Sequence, residues 1–200
     1  MIFVSSKVSD GNMDFRFGDS KEVSKNRQKF LDKLNINPKD LAEVQQVHGN
    51  KVIVVDSVPN PETEADGLIT NKADIYLMLK IADCLAMALF DPIQKVICLV
   101  HVGWRGLEKS IIKNAIQKLT ESFKSKSQNL IVQISPSIGP CCYQVDLWKQ
   151  AEDQLIKAGV LEKNIDNPRL CTYHTNTYFS HRKSEDQNLP EARFVTILGF

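Results

Sequence analysis

The chain has 200 residues, 42% of them hydrophobic, which is enough for one domain with a proper core. Its 25 basic and 24 acidic residues nearly cancel, which excludes a bulk electrostatic pull toward nucleic acid or a membrane surface, although it says nothing about a local anion pocket. No apolar run approaches the roughly 20 residues of a spanning helix, and residues 1–7 lack the basic-then-apolar order of a signal peptide. The five cysteines are odd in number, with Cys141 and Cys142 adjacent, unlike a secreted disulfide framework. These features predict a soluble, cytoplasmic protein with reduced thiols.

Residues 1–18 predict two short strands about the turn Asp10-Gly11-Asn12. The second, residues 13–17, puts Arg16 on the face opposite Phe15 and Phe17. Ser20 is a candidate cap for a helix reaching about Asn35, with Val23, Phe30, Leu31 and Leu34 facing inward. Residues 44–47 and 52–55 predict strands joined at Gly49-Asn50, a hairpin-like connection that holds His48. After a polar loop, residues 75–81 and 85–90 are apolar runs interrupted by Asp83-Cys84, and Asp91-Pro92 turns the chain into a strand over 95–102. Three β-rich segments with little helix between them favour an antiparallel or mixed sheet.

Gly103 and Gly106 end the third run. An amphipathic helix is predicted over about 107–123, with Leu107, Ile111, Ile112, Ala115, Ile116, Leu119 and Phe123 on one face. A strand over 130–134 follows, then a rigid loop through Pro136, Gly139 and Pro140, helices near 147–158 and 176–186, and a closing strand over 194–198. The whole, residues 1–200, reads as a single α/β domain with a mixed β-sheet core flanked by helices.

Two histidines and a cysteine, His48, His101 and Cys84, each fall at the end of a β-run. Together they form a candidate His/Cys/His metal site, since imidazole and thiolate suit zinc and catalytic zinc sites keep three protein ligands and one open position. Each also has an inert reading. His48 reads equally as an exposed turn residue, Cys84 as core packing, and His101 as a hydrogen-bonded core histidine. Asp83 is harder to dismiss, because a carboxylate in an apolar run costs several kcal/mol unless partnered. It suits an acid–base role or a partner that orients a metal ligand, but strand alternation puts it opposite Cys84 unless the strand bulges. Arg105, at a predicted strand-to-helix corner, is a candidate phosphate clamp, or else half of a surface salt bridge. Trp104 is read as core, and Cys141-Cys142 as structural, because adjacent cysteines do not easily share one ion.

The motifs QQVHG, EADGLIT, IADCLAMALFDP, VHVGWRGLEKSI and SIGPCCYQVD, in this order between about residues 43 and 146, resemble the YfiH-type laccase-domain family. Its members are called multicopper polyphenol oxidases in older usage and purine nucleoside phosphorylases in newer usage. The resemblance implies an α/β domain with zinc held by His48, Cys84 and His101. It implies phosphorolysis of adenosine, inosine, guanosine and methylthioadenosine, with some adenosine deamination. Purine nucleosides and phosphate are then the partners, with neither nucleic acid nor membrane, and the assembly a monomer or small homo-oligomer. Asp83 and Arg105 are the candidate catalytic residues. Arg16, Gln46 and Arg105 are the candidate substrate contacts, and Phe179-Ser180-His181-Arg182-Lys183 stands where the family has FSYRR. The alternatives are a copper-dependent polyphenol oxidase and a peptidoglycan-editing or regulatory factor that binds a nucleotide or cell-wall precursor.

Overall fold

The computed structural model describes residues 1–200. Ten strands form two sheets. One runs in the order β1 (Ile2–Ser5), β10 (Phe194–Gly199), β5 (Tyr76–Ile81), β2 (Leu41–Ala42). The other runs β3 (Val52–Val54), β4 (Gly67–Thr70), β7 (Val96–Val102), β6 (Leu85–Asp91), β8 (Ile131–Ile134), β9 (Ile165–Asp166). Most pairs are antiparallel, but β2–β5, β3–β4 and β8–β9 are parallel, so both sheets are mixed.

The continuous apolar run of β7 explains the layering. Every β7 residue is buried. Cys98, Val100 and Val102 join the core under helices α2 (Trp104–Glu108), α3 (Ile111–Phe123) and α4 (Leu147–Lys157), while Ile97 and Leu99 face the four-stranded sheet with Leu77, Leu79 and Phe194. Helix α1 (Ser20–Leu34) covers the opposite face of that sheet through Phe30 and Leu31, against Met78, Val195 and Ile197. The result is two sheets face to face with helices on both outer sides. A strand covered on both faces has no polar alternation to display, which is why β7 reads as an unbroken hydrophobic run.

Several local expectations are corrected. Residues 13–17 are no strand; Phe15–Phe17 form a single 3-10 turn, capped by the Asp14 carboxylate accepting from the Arg16 N–H. The cap of α1 is Asp19, not Ser20. Residues 44–47 do not pair with β3, which lies parallel to β4 instead. The predicted helix over 107–123 is broken into α2 and α3 at Ser110, whose φ of 61° is left-handed. The predicted helix over 176–186 starts only at α5 (His181–Gln187). Strands β5 and β6 are consecutive in sequence yet lie in different sheets. The Asp83-Cys84 break is therefore the crossover between layers, and it opens onto the cavity described next.

Candidate functional site

Asp66 organises the site. It is fully buried on the segment that starts β4, and its carboxylate accepts from the backbone N–H groups of Val47 (3.3 Å), His48 (3.0 Å) and Gly49 (2.7 Å). The same carboxylate lies 2.8 Å from His101 Nδ1. One acid thus bends the 47–49 loop onto the end of β7 and leaves Nε2 of His101 for another partner. Burial works to raise the Asp66 pKa, but the hydrogen bond and charge of His101 and the N–H donors of Gly49 and Val47 outweigh it and hold the carboxyl below its ordinary range.

His48 stands beside His101 with ring centroids 4.6 Å apart and planes nearly perpendicular. Cys84 completes the group, and the ligating atoms of His48, Cys84 and His101 lie within 4.8 Å of one another. Burial opposes ionisation of Cys84, but the charge and hydrogen bonds of His101 and His48 bring the thiol down to about 6. Burial lowers His101, and Cys84 and Asp66 push it up to about 9. The pair therefore favours thiolate, the form that ligates a metal. The floor beneath is shaped for this. A Cβ on Gly103 would come within 2.8 Å of Cys84 Sγ and 3.5 Å of His48 Cδ2, so the residue there must lack a side chain. Converging imidazole and thiolate donors, an anchored tautomer and a cleared floor fit one borderline-soft divalent ion.

The three donors line a cavity of about 440 Å³. Arg16, Gln46, Asp83 and Arg105 line it too, so the three candidate ligands and the four candidate catalytic and substrate residues reach one cavity. Asp83 does so beside Cys84 because its φ of 84° breaks the strand alternation that would have separated them. Its oxygens accept from Thr172 Oγ1 at 2.6 Å and from the Arg182 N–H at 2.7 Å, which fixes it against the start of α5. Gln46 spends its amide on the main chain of Lys80, donating to its carbonyl and accepting from its N–H, and so shapes the wall instead of offering free donors. Trp104, read as core, also lines the cavity, with the Arg105 guanidinium 4.8 Å above its ring.

Sequence reasoning gave no role to Asp66 or Arg182 and missed Lys80 and Arg193; the three cations also line the cavity. Three of the lining guanidiniums have carboxylate partners: Arg16 with Asp14, Arg182 with Glu185 and Arg193 with Glu191. Arg105 has no carboxylate in ion-pair range. Its support from a helix end is weaker than predicted, because α2 is only five residues long.

Fold and site together define an α/β domain that presents a His/Cys/His donor set at the floor of a cation-lined cavity. The family model described as multi-copper polyphenol oxidoreductase laccase matches residues 3–146 and 144–198, and the chain belongs to that family. Curated relatives carry a different name. A purine nucleoside phosphorylase of Clostridium acetobutylicum is 31% identical over 88% of this chain and 84% of its own length. The purine nucleoside phosphorylase YlmD of Bacillus subtilis is 29% identical over 89% and 77%. One of Rickettsia conorii is 36% identical over 66% of this chain, and the chain spans half the length of that relative. Among solved structures, YlmD from Geobacillus stearothermophilus superposes with a TM-score of 0.88 at 25% identity, covering 94% of this chain and 84% of that one. No helix is long and apolar enough to cross a membrane.

Proposed function

We propose that the protein is a zinc-dependent purine nucleoside phosphorylase acting on adenosine, inosine, guanosine and methylthioadenosine, with adenosine deamination as a side activity. The observation that carries this reading is Arg105, a guanidinium without a carboxylate partner facing the same cavity as His48, Cys84 and His101. The names of the relatives supply the reaction class. A cavity of about 440 Å³ is of a size that encloses small ligands.

His48, Cys84 and His101 would hold the zinc ion, which supplies Lewis acidity at its open position. Arg105 binds phosphate, as the guanidinium on the cavity lining that no carboxylate neutralises. Trp104 and Tyr143 offer flat apolar surface to the purine. A phosphate oxygen then bonds to the sugar C1′ as the bond to the purine nitrogen breaks, and the base leaves with the electron pair. Asp83, a carboxylate held in place by Thr172 and the Arg182 N–H, takes the proton of the attacking hydrogen phosphate and passes it to the departing base.

Zinc suits the donor set better than a multicopper cluster does. The chain has four histidines, and the two outside the donor triad lie with other partners, although His181 also lines the cavity. His174 sits beside Cys142, and His181 beside Glu185 and Glu191. The test is chromatography of products from a nucleoside panel with and without inorganic phosphate. Free base and ribose 1-phosphate are expected only when phosphate is present. Base release at the same rate without phosphate, or none with any nucleoside, contradicts the reading.

A further inference from the structure

Four soft donors gather a second time, outside the cavity. Cys141 and Cys142 lie in the turn between β8 and α4, where the Cys142 N–H donates to the Gly139 carbonyl. Cys171 and His174 lie in the segment between β9 and α5. The two segments are joined as a short parallel bridge at Ser137 and Cys171, with Ser137 N–H donating to Leu170 and Thr172 N–H to Ser137. Trp148 packs on Gly139 and donates to Ser137 Oγ at 2.7 Å, so the cysteine turn is backed by α4.

The sulfurs of Cys141 and Cys171 are 3.6 Å apart, those of Cys141 and Cys142 also 3.6 Å, and Cys142 Sγ is 3.2 Å from His174 Nε2. All four ligating atoms lie within 4.8 Å of one another. A tetrahedral zinc ion with Zn–S bonds of about 2.3 Å holds its sulfurs about 3.8 Å apart, so the spacing is already that of a coordination shell. Adjacent cysteines on an extended strand point to opposite faces and do not easily share one ion. Here they sit in a turn, and both thiols point to one side. The Gly139 N–H also donates to Cys171 Sγ at 3.3 Å, which fixes the direction of that thiol.

We propose that Cys141, Cys142, Cys171 and His174 form a second, structural zinc site of Cys3His type. Four protein ligands close the coordination shell, so this ion does no chemistry. Its role is to clamp two loops. Tyr143, next to Cys142, lines the cavity, and Thr172, next to Cys171, holds Asp83. The site does not depend on what reaction the cavity performs.

The test is zinc content per chain after stripping with a chelator, reloading with zinc under reductant and desalting. Wild type is expected to hold two equivalents, Cys84→Ser one, the Cys141→Ser/Cys171→Ser variant one, and the triple variant none. Cobalt substitution gives a second readout. The thiolate-to-cobalt absorption of cobalt-loaded Cys84→Ser, with three sulfur ligands, should be about three times that of the cobalt-loaded Cys141→Ser/Cys171→Ser variant, with one. Should that variant fail to fold, Cys84→Ser alone decides, because it leaves the second cluster whole. A Cys84→Ser protein that binds no zinc overturns the proposal. So does a disulfide between Cys141 and Cys171 that persists in the reduced, metal-loaded protein.

Discussion

His48, Cys84 and His101 face a cavity ringed by cations, whereas Cys141, Cys142, Cys171 and His174 tie two loops together and include no ion pair among themselves. Both groups offer thiol and imidazole. The first has three donors, one of them held by a buried carboxylate, and open space in front of them. The second has four, and the turn that carries two of them is backed by Trp148. Ligand number and surroundings, not ligand type, separate a place where chemistry can happen from a staple.

The most severe way to break this contrast is Cys84→Ser. Loss of a ligand from a three-ligand site should remove one equivalent of zinc and lower phosphorolysis by more than about a hundredfold, exceeding the tenfold to hundredfold typical of partners behind the ligands. Circular dichroism should be unchanged. Metal analysis and single-turnover assays check this.

Asp66→Asn tests the organiser. It keeps the shape but removes the charge that His101 and three backbone N–H groups share. Zinc affinity at the cavity site should fall about tenfold to hundredfold. Competition with a chromogenic chelator measures it, and an unchanged affinity would remove Asp66 from its assigned place.

Arg105→Ala should raise the KM for phosphate while leaving the nucleoside KM nearly constant. A charge-assisted bond is worth about 1.5–3 kcal/mol, and the exposure of Arg105 puts the effect at the lower end, about tenfold. Equal changes in both constants, or none, would count against a phosphate role for Arg105.

These residues were legible to different degrees, for physical reasons. The three donors and Asp83 stand out because polar or reactive side chains interrupt apolar runs. Asp66 sits in a comparable setting, Ala65-Asp66-Gly67-Leu68-Ile69, and the same cost of burying a carboxylate would have flagged it. Lys80 and Arg193 were illegible because they reach the cavity through the pairing of β5 with β10, where Val195 lies opposite Lys80. That register is a tertiary fact. Residues 44–47 look like a strand by apolar content, yet Gln45 makes only an isolated bridge to Glu64 and His48 takes a left-handed φ of 55°. The break between α2 and α3 left no glycine or proline at the pivot, since Ser110 itself adopts the left-handed conformation.

The smallest expected effect concerns charge, which only the cavity side of the comparison carries. Glu43 pairs with Arg27 at 2.9 Å and with cavity-lining Lys80 at 3.2 Å. Burial raises its pKa, but the charges and hydrogen bonds of Arg27 and Lys80 win and hold it below 4.5. A carboxyl depressed on folding stabilises above its unfolded pKa, and that stability is lost as pH falls through the folded value. Glu43→Gln should therefore cost about 1 kcal/mol at neutral pH, with the difference from wild type vanishing only in acid below the depressed folded value. Urea unfolding across that range checks it.

The most direct measurement of the central claim loads the metal-free protein with zinc or with copper and assays both forms side by side, against purine nucleosides with phosphate and against a phenol with dioxygen. One three-ligand site without a neighbouring redox cluster predicts that the zinc form releases base and ribose 1-phosphate while the copper form oxidises the phenol slowly at most. Rapid phenol turnover by the copper form, with no base released by the zinc form, would contradict the account and leave an oxidase in its place.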